Sequence, residues 1–283
     1  MKLYRKMLPG LIAMMLCAVL LLPAGAVGET RALFINVGKA DAALFFLDDA
    51  RFLIDTGTKD SLDQLLRVLE AYDVTHLDGI LVTHTDKDHA GGLKKLLKSG
   101  IQVDRLYAGT LHSEESVEDH RVYEASEKYN VPLTWLSAGQ ELTVGNAVLK
   151  VLGPLAQDSE NENNNSLVAR METPDGSLLL TGDMELDEEN QLRAAGLFAP
   201  ADVLKVPHHG EDDATSRVFA LMIKPQWAVI STNTAEEPDT PDPKVLSYLQ
   251  QAGASIAVTQ DTEVGVMVTL ADGVATAEAI NWQ

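Results

Sequence analysis

Cysteine is nearly absent from this chain. Cys17 is the only one in 283 residues, and it lies in the apolar run MLPGLIAMMLCAVLLLP near the N-terminus. A lone thiol cannot close an intrachain disulfide, so no disulfide framework holds the fold. Positive charge is scarce as well: 22 lysines and arginines face 42 aspartates and glutamates, a formal charge of −20. A surface this acidic repels nucleic acid at long range, so a nucleic-acid substrate would need local positive charge or metal ions to hold it. Beyond the N-terminal run there is no long hydrophobic stretch, no internal repeat and no low-complexity linker. The polar DSENENNN, Asp158 to Asn165, is too short to separate domains. What is present is a globular composition, 46% hydrophobic, in a chain long enough to bury a substantial core.

The N-terminus reads as a separate object. MKLYRK carries Lys2, Arg5 and Lys6, an apolar run follows, and Ala24-Gly25-Ala26 supplies small residues in an A-x-A arrangement. This pattern predicts a secretory signal peptide over residues 1–26, with an uncleaved anchor helix as the alternative. The Met14-Met15-Leu16 that precedes Cys17 is too bulky for a lipoprotein signal. Cleavage would leave a cysteine-free chain with no thiolate ligand or nucleophile. It would also remove three basic residues and no acid, taking the formal charge from −20 to about −23. The expected location is secreted or cell-surface, without stable membrane insertion after cleavage. Residues 27–283 are expected to form a single domain.

Strand-like and helix-like segments then alternate. TRALFINVGKADAALFFLDDARFLIDTG reads as three short strands, SLDQLLRVLEAYDV as a helix with Ser61 as candidate cap, and LDGILVTH as a buried strand. AGGLKKLLKSG is a short helix, VDRLYAG a strand and SVEDHRVYEASEKYN a polar helix. LTWLS, ELTV and AVLKVLG are strands, and SLVARMETPDGSLLLTGD is a hairpin turning at TPDG. MELDEENQLRAAG, RVFALMIKP and DPKVLSYLQQAGA are helices, DVLKVPHHG and WAVIST strands, and the end is a hairpin around Asp272-Gly273. Two β-rich blocks trailed by helices predict a layered α/β sandwich, with chemistry along the edge where strand ends converge.

Four of the seven histidines fall in two clusters, His84 with His89 and His208 with His209, each directly after an apolar strand-like run. Asp55 in RFLIDTG and Asp183 in SLLLTGD follow such runs too. Strand ends hold side chains rigidly, and neutral imidazole with carboxylate is the donor set of a divalent-metal site. Within HTDKDH, alternating side chains on a turn can face two different cations; a capped helix start with a solvated His89 is the bland alternative. His76, His112 and His120 lie in polar settings where surface roles are expected. Trp135, Trp227 and Trp282 are scattered, as packing residues are.

The motifs FINVGKADAALF, LIDTG, LVTHTDKDHAGGL, NNNSLVARM, LLLTGD, LKVPHHG and PDPKVLSYLQQAGA, in that order, resemble the metallo-β-lactamase superfamily. Within it they are most similar to the soluble ComEC-type domain of competence (DNA-uptake) proteins. The resemblance implies an αββα four-layer sandwich and a hydrolytic site for one or two divalent ions, Zn or Mn. It places His84 and Asp86 on a first metal, Asp88 and His89 on a second, and Asp183 between them. His209 is favoured over His208 to close the second site, with His208 lining the pocket or polarising substrate. Asp55 is expected to orient the metal loop through hydrogen bonds. Asp88, His208 and Asn165 are the candidate catalytic residues; Lys39, Asp41, Asn165 and Ser166 are the candidate substrate contacts. For Lys39 and Asp41 a solvated turn is the equal alternative.

The chain departs from the family pattern in four places. Asp86 stands where many members have a histidine, and a harder carboxylate suits Mn²⁺ or Mg²⁺ beside Zn²⁺. No histidine precedes Asp183 where many members have one; Asn165 falls near that position. Thr240 stands before Pro241 where a histidine is usual, and GKADA replaces GQGDA. The leading expectation is a secreted hydrolase that attacks phosphodiesters with metal-bound hydroxide, on a small phosphodiester or nucleic acid. The alternatives are a lactam, lactone or carboxyl-ester hydrolase, or a non-catalytic metal-dependent accessory protein. No protein partner can be inferred.

Overall fold

A computed structural model describes residues 29–114 and 116–282. The expected signal peptide lies outside the described residues. Among those described, no helix is long and apolar enough to cross a membrane.

An eight-stranded sheet runs Val274–Ile280, Gly265–Ala271, Thr30–Ile35, Ala43–Leu47, Ala50–Ile54, Gly79–Val82, Leu106–Gly109, Leu133–Leu136. Its first five strands are antiparallel and its last three continue in parallel from Ala50–Ile54. A seven-stranded sheet runs Ser255–Val258, Trp227–Ile230, Val203–Lys205, Gly176–Leu180, Val168–Thr173, Ala147–Gly153, Glu141–Val144, parallel over the first four and antiparallel beyond. The C-terminal hairpin thus completes the first sheet beside the first strand, not the sheet built just before it in the chain.

Strand alternation separates the layers. In Thr30–Ile35, Ala32 and Phe34 enter the core between the sheets, with Phe45, Phe52, Leu149, Met171, Leu180 and Val229. Leu33 and Ile35 point the other way, under Leu65 and Leu69 of the helix Leu62–Ala71 and Leu93 and Leu96 of the helix Leu93–Lys98. The second sheet repeats this: Val203 faces inward, while Leu204 packs outward with Leu192, Phe219, Val245 and Leu249 of three covering helices. Both faces of each sheet are covered, which is why the central strands are apolar throughout. Each fully buried phenylalanine or leucine contributes about 1.5–3 kcal/mol by leaving water. The result is the expected α/β sandwich.

Two local expectations change. Ser61 precedes its helix without a capping bond and shares its hydroxyl with Thr58 instead. The polar helix after Gly109 is broken at His120, which separates the 3-10 turn Val117–Asp119 from the helix Arg121–Tyr129. His120 is not a surface residue. It is 3% exposed, its Nδ1 accepts the Val122 N–H as the helix cap, and its ring packs edge-on to Trp135 at 4.8 Å. His112 is half-buried against it and His76 is paired with Asp104.

Candidate metal centre

The parallel halves of the two sheets deliver their strand ends to one place. Ile54 leads into Asp55, Val82 into Thr83 and His84, Leu180 into Asp183, and Lys205 into His208 and His209. Ligand sites collect at such carboxyl ends because the loops there converge on rigid strands.

Ligand atoms of Asp88, His89, Asp183 and His209 all lie within 4.8 Å of one another. Asp183 is central: its Oδ1 is 3.1 Å from His89 Nε2 and its Oδ2 is 3.1 Å from His209 Nε2. Asp88 Oδ2 is 3.3 Å from the same His209 nitrogen. On the other side of His89 the His84 ring stacks at 4.1 Å, with Asp86 Oδ2 3.9 Å from His84 Nε2. Asp86 is the exposed N-cap residue of the short helix Lys87–Ala90, and its carboxylate makes no capping bond.

Each histidine is oriented through its far nitrogen. His209 Nδ1 is 2.8 Å from the Ser231 carbonyl, which can only accept, so Nδ1 carries a proton and Nε2 faces the centre. His89 Nδ1 is 2.8 Å from Asp55 Oδ2, and Asp55 Oδ1 takes the Thr83 N–H. Asp55 is therefore an orienting group. His84 Nδ1 lies 3.2 Å from Thr83 Oγ1 and 3.3 Å from Ser166 Oγ. The Nε2 atoms of His84, His89 and His209 and Oδ1 of Asp183 are buried without a hydrogen-bond partner. His89 Nε2 and Asp183 Oδ1 are close, yet not aligned for a hydrogen bond; both face a common point. Buried unsatisfied polar atoms are costly, and bound cations would satisfy them. The donor set fits divalent metal.

Electrostatics agree. Burial resists charging of His209, but Asp183 and Asp88 outweigh it and push its pKa up to about 9. Burial resists ionisation of Asp183, and the flanking His209 and His89 overcome this and hold its carboxyl well below the usual range. Burial and the neighbouring His89 lower His84. Asp41, Asp55, Asp86, Asp88 and Asp183 gather around the centre, with the ammonium of Lys205 on Asp41 and that of Lys39 within reach of Asp88 and Asp183. The excess of carboxylates favours bound cations.

The backbone is bent to suit. His208 and His209 have φ of 44° and 53°, left-handed values that non-glycine residues adopt only under strong constraint. Gly182, at φ 50°, is required for a second reason: a Cβ there would meet Ser166 Oγ at 2.8 Å. That contact lets Ser166 Oγ accept the Asp183 N–H at 3.0 Å.

Several expected site residues sit elsewhere. His208 is buried outside the Asp183 cluster, its Nδ1 2.8 Å from Asp213 and its Nε2 3.3 Å from the Asn163 amide, with Glu211 at 3.7 Å. Lys39 is on the rim, 2.7 Å from Glu211. Asn165 is corrected: its amide is consumed by the Asp158 backbone and the Glu162 carboxylate, so it offers nothing to metal or substrate. Ser166 is fully buried and braces His84 and Asp183, so it is not a substrate contact. Asp41 is neither a substrate contact nor a solvated turn; it is 5% exposed and ion-paired to Lys205 at 2.6 Å. Lys205, Thr83 and Ser231 were not anticipated. Only Lys205 left a trace, as a charge inside the apolar run DVLKVP.

A model of the metallo-beta-lactamase superfamily matches residues 35–232. ComE operon protein 3 of Bacillus subtilis is 35% identical over 187 residues, 66% of this chain and 24% of the relative. Competence protein ComA of Neisseria gonorrhoeae is 27% identical over 223 residues, 78% of this chain and 30% of the relative. The chain thus spans about a quarter of the length of these relatives. The metallo-beta-lactamase fold protein YhfI from Bacillus subtilis superposes with a TM-score of 0.55 at 14% identity, over 89% of this chain and 100% of that one. Fold, ordered motifs and family match agree: the chain belongs to the metallo-beta-lactamase superfamily and fits the ComEC-type domain of the competence proteins.

Proposed function

We propose that the protein is a secreted metal-dependent hydrolase of phosphodiesters, with one or two Zn or Mn ions as cofactor. The observation that carries this is Asp183, whose two oxygens lie 3.1 Å from His89 and His209 in a cluster with Asp88, beside the His84 ring. Such a cluster would hold a divalent cation, and where a second joins it, two-cation sites clamp the attacking and leaving oxygens of a phosphoryl group. Bound metal would supply Lewis acidity and a water that ionises near neutral pH.

The chain's own residues do the rest. Asp88, His89, Asp183 and His209 would hold one cation, and His84 with Asp86, next to His89, would hold a second. Asp55, the Ser231 carbonyl and Thr83 hold the imidazoles in the ligating tautomer. Asp88, at the inner end of the rim, is placed to accept a proton. His208, whose Nδ1 is held by Asp213, would meet a substrate oxygen through Nε2. Preference for phosphodiester over carboxyl ester rests on the hard donor set, with Asp86 where many members carry a histidine. The similarity to competence proteins points the same way. The acidic surface favours a small phosphodiester over long nucleic acid.

The test is turnover of a generic phosphodiester, and of single- and double-stranded DNA, by metal-stripped protein given Zn²⁺, Mn²⁺ or Mg²⁺ singly, with Asp183→Ala as control. Metal-dependent cleavage that is lost in Asp183→Ala is expected. Turnover unchanged in that variant would sink the reading. Activity confined to lactams or carboxyl esters would replace the substrate class, and no activity on any ester would favour an accessory role.

A further inference from the structure

The half-site of His84 and Asp86 is the poorer of the two. It rests on a loop, and the position near which relatives carry a histidine is given to asparagine and serine. Between its two ligands stands Thr85, 5% exposed. Both polar groups of Thr85 go to one acceptor: Glu162 Oε1 takes the Thr85 N–H at 3.2 Å and its hydroxyl at 2.9 Å. The other oxygen, Oε2, takes the Ser113 N–H at 2.6 Å and the Asn165 amide at 3.1 Å. Four donors thus converge on one carboxylate in the 3-10 turn Glu162–Asn165. Burial resists its ionisation, and the Ser113 and Thr85 bonds outweigh that and lower its pKa. Charge-assisted hydrogen bonds of this kind are roughly twice as strong as neutral ones.

From this geometry we infer that Glu162 is the positioning residue of the weaker half-site. It clamps Thr85 and so presets the spacing of His84 and Asp86 before metal arrives. Through Ser113 it also ties that spacing to the loop after the strand Leu106–Gly109. Asn165, removed above from the substrate contacts, belongs to the clamp. Neither Glu162 nor Thr85 offers an atom to the metal. The inference rests on the metal-centre reading above, and it adds a division of labour: one half-site is set by strand ends, the other by a carboxylate bracket.

The experiment is a chelator-competition titration with Mn²⁺ and Zn²⁺ on wild type, Glu162→Ala, Glu162→Gln, Thr85→Val and Thr85→Ser, read as two stepwise dissociation constants. Amide hydrogen exchange of Thr85 in the metal-free protein is read alongside. Loss of an outer orienting group typically costs about 10–100-fold in metal affinity. Glu162→Ala is expected to weaken the weaker step by that factor, leave the tighter step within about two-fold, and accelerate exchange at Thr85. Thr85→Val should follow in part and Thr85→Ser should stay close to wild type. Unchanged constants in both Glu162→Ala and Thr85→Val would overturn the inference alone. So would an equal weakening of both steps with a fall in melting temperature, which would make Glu162 a general scaffold residue. Wild-type protein that binds no divalent ion would overturn the metal-centre reading itself.

Discussion

Lys205 Nζ lies 2.6 Å from Asp41 Oδ2, both side chains are 7% exposed, and the pair joins the two sheets beside the metal centre. Lys205 ends a strand of the seven-stranded sheet; Asp41 leads into a strand of the eight-stranded one. The same Asp41 oxygen is 3.9 Å from His89 Nε2. Burial opposes ionisation of Asp41, and the Lys205 ammonium with His89 and His209 together outweigh it.

That pair yields the first prediction. Lys205→Met should strand a buried carboxylate and cost about 3–5 kcal/mol, because half of a buried pair is worse than none. Adding Asp41→Asn should recover most of the loss. Urea unfolding of metal-free protein measures both, and a double variant no more stable than Lys205→Met would contradict the argument.

Asp55 acts through His89. Asp55→Ala removes the acceptor for His89 Nδ1 and the anchor of the Thr83 N–H. Metal affinity should fall about 10–100-fold while the fold is retained. Isothermal titration against far-UV circular dichroism separates the two effects; unchanged affinity would leave Asp55 a purely structural residue.

Metal should stabilise the protein by mass action. At free metal 100 times the dissociation constant the gain is about 2.7 kcal/mol. The melting temperature should rise with metal concentration, fall on chelation, and respond little in Asp183→Ala, because that carboxylate is central to the cluster with Asp88, His89 and His209. A metal-independent melting temperature in wild type would argue against the centre.

His120 sets a pH dependence outside the centre. Burial, aided by His112, lowers its pKa from 6.5 to about 4. Below pH 6.5 the unfolded imidazole takes a proton that the native one refuses until about pH 4, so the unfolded state binds more protons across that window. Stability must then rise with pH from about 4 to 6.5, by about 1.4 kcal/mol per unit at most and about 3 kcal/mol in all. His120→Gln should flatten this limb in pH-stepped urea unfolding, and an unaltered slope would remove His120 as its source.

Much of the centre was legible before any coordinates. HTDKDH, TGD and PHHG each follow an apolar strand, and that spacing alone brings rigidly held donors to strand ends. The preference for His209 over His208 and the orienting role of Asp55 came from the family pattern, and the geometry places both residues accordingly. Asn165, Ser166 and Asp41 were misread because a polar residue near a motif looks the same whether it faces substrate or braces a neighbour. Which it does depends on what another loop presents: Glu162 to Asn165, His84 to Ser166, Lys205 to Asp41. His120 was misread because its polar neighbours in sequence are not its neighbours in space; Trp135 covers it.

The sequence by itself determined the local elements, through apolar periods of two and near four residues, and marked the histidines and aspartates after strands as candidate metal donors. The tertiary structure decided what joins over long separations. It paired the C-terminal hairpin with the first strand, set Lys205 on Asp41 across the two sheets, and turned Glu162 onto Thr85 from 77 residues away. The reason is physical: periodicity and caps are properties of neighbouring residues, whereas a hydrogen bond between distant loops exists only once packed sheets have fixed where both ends lie.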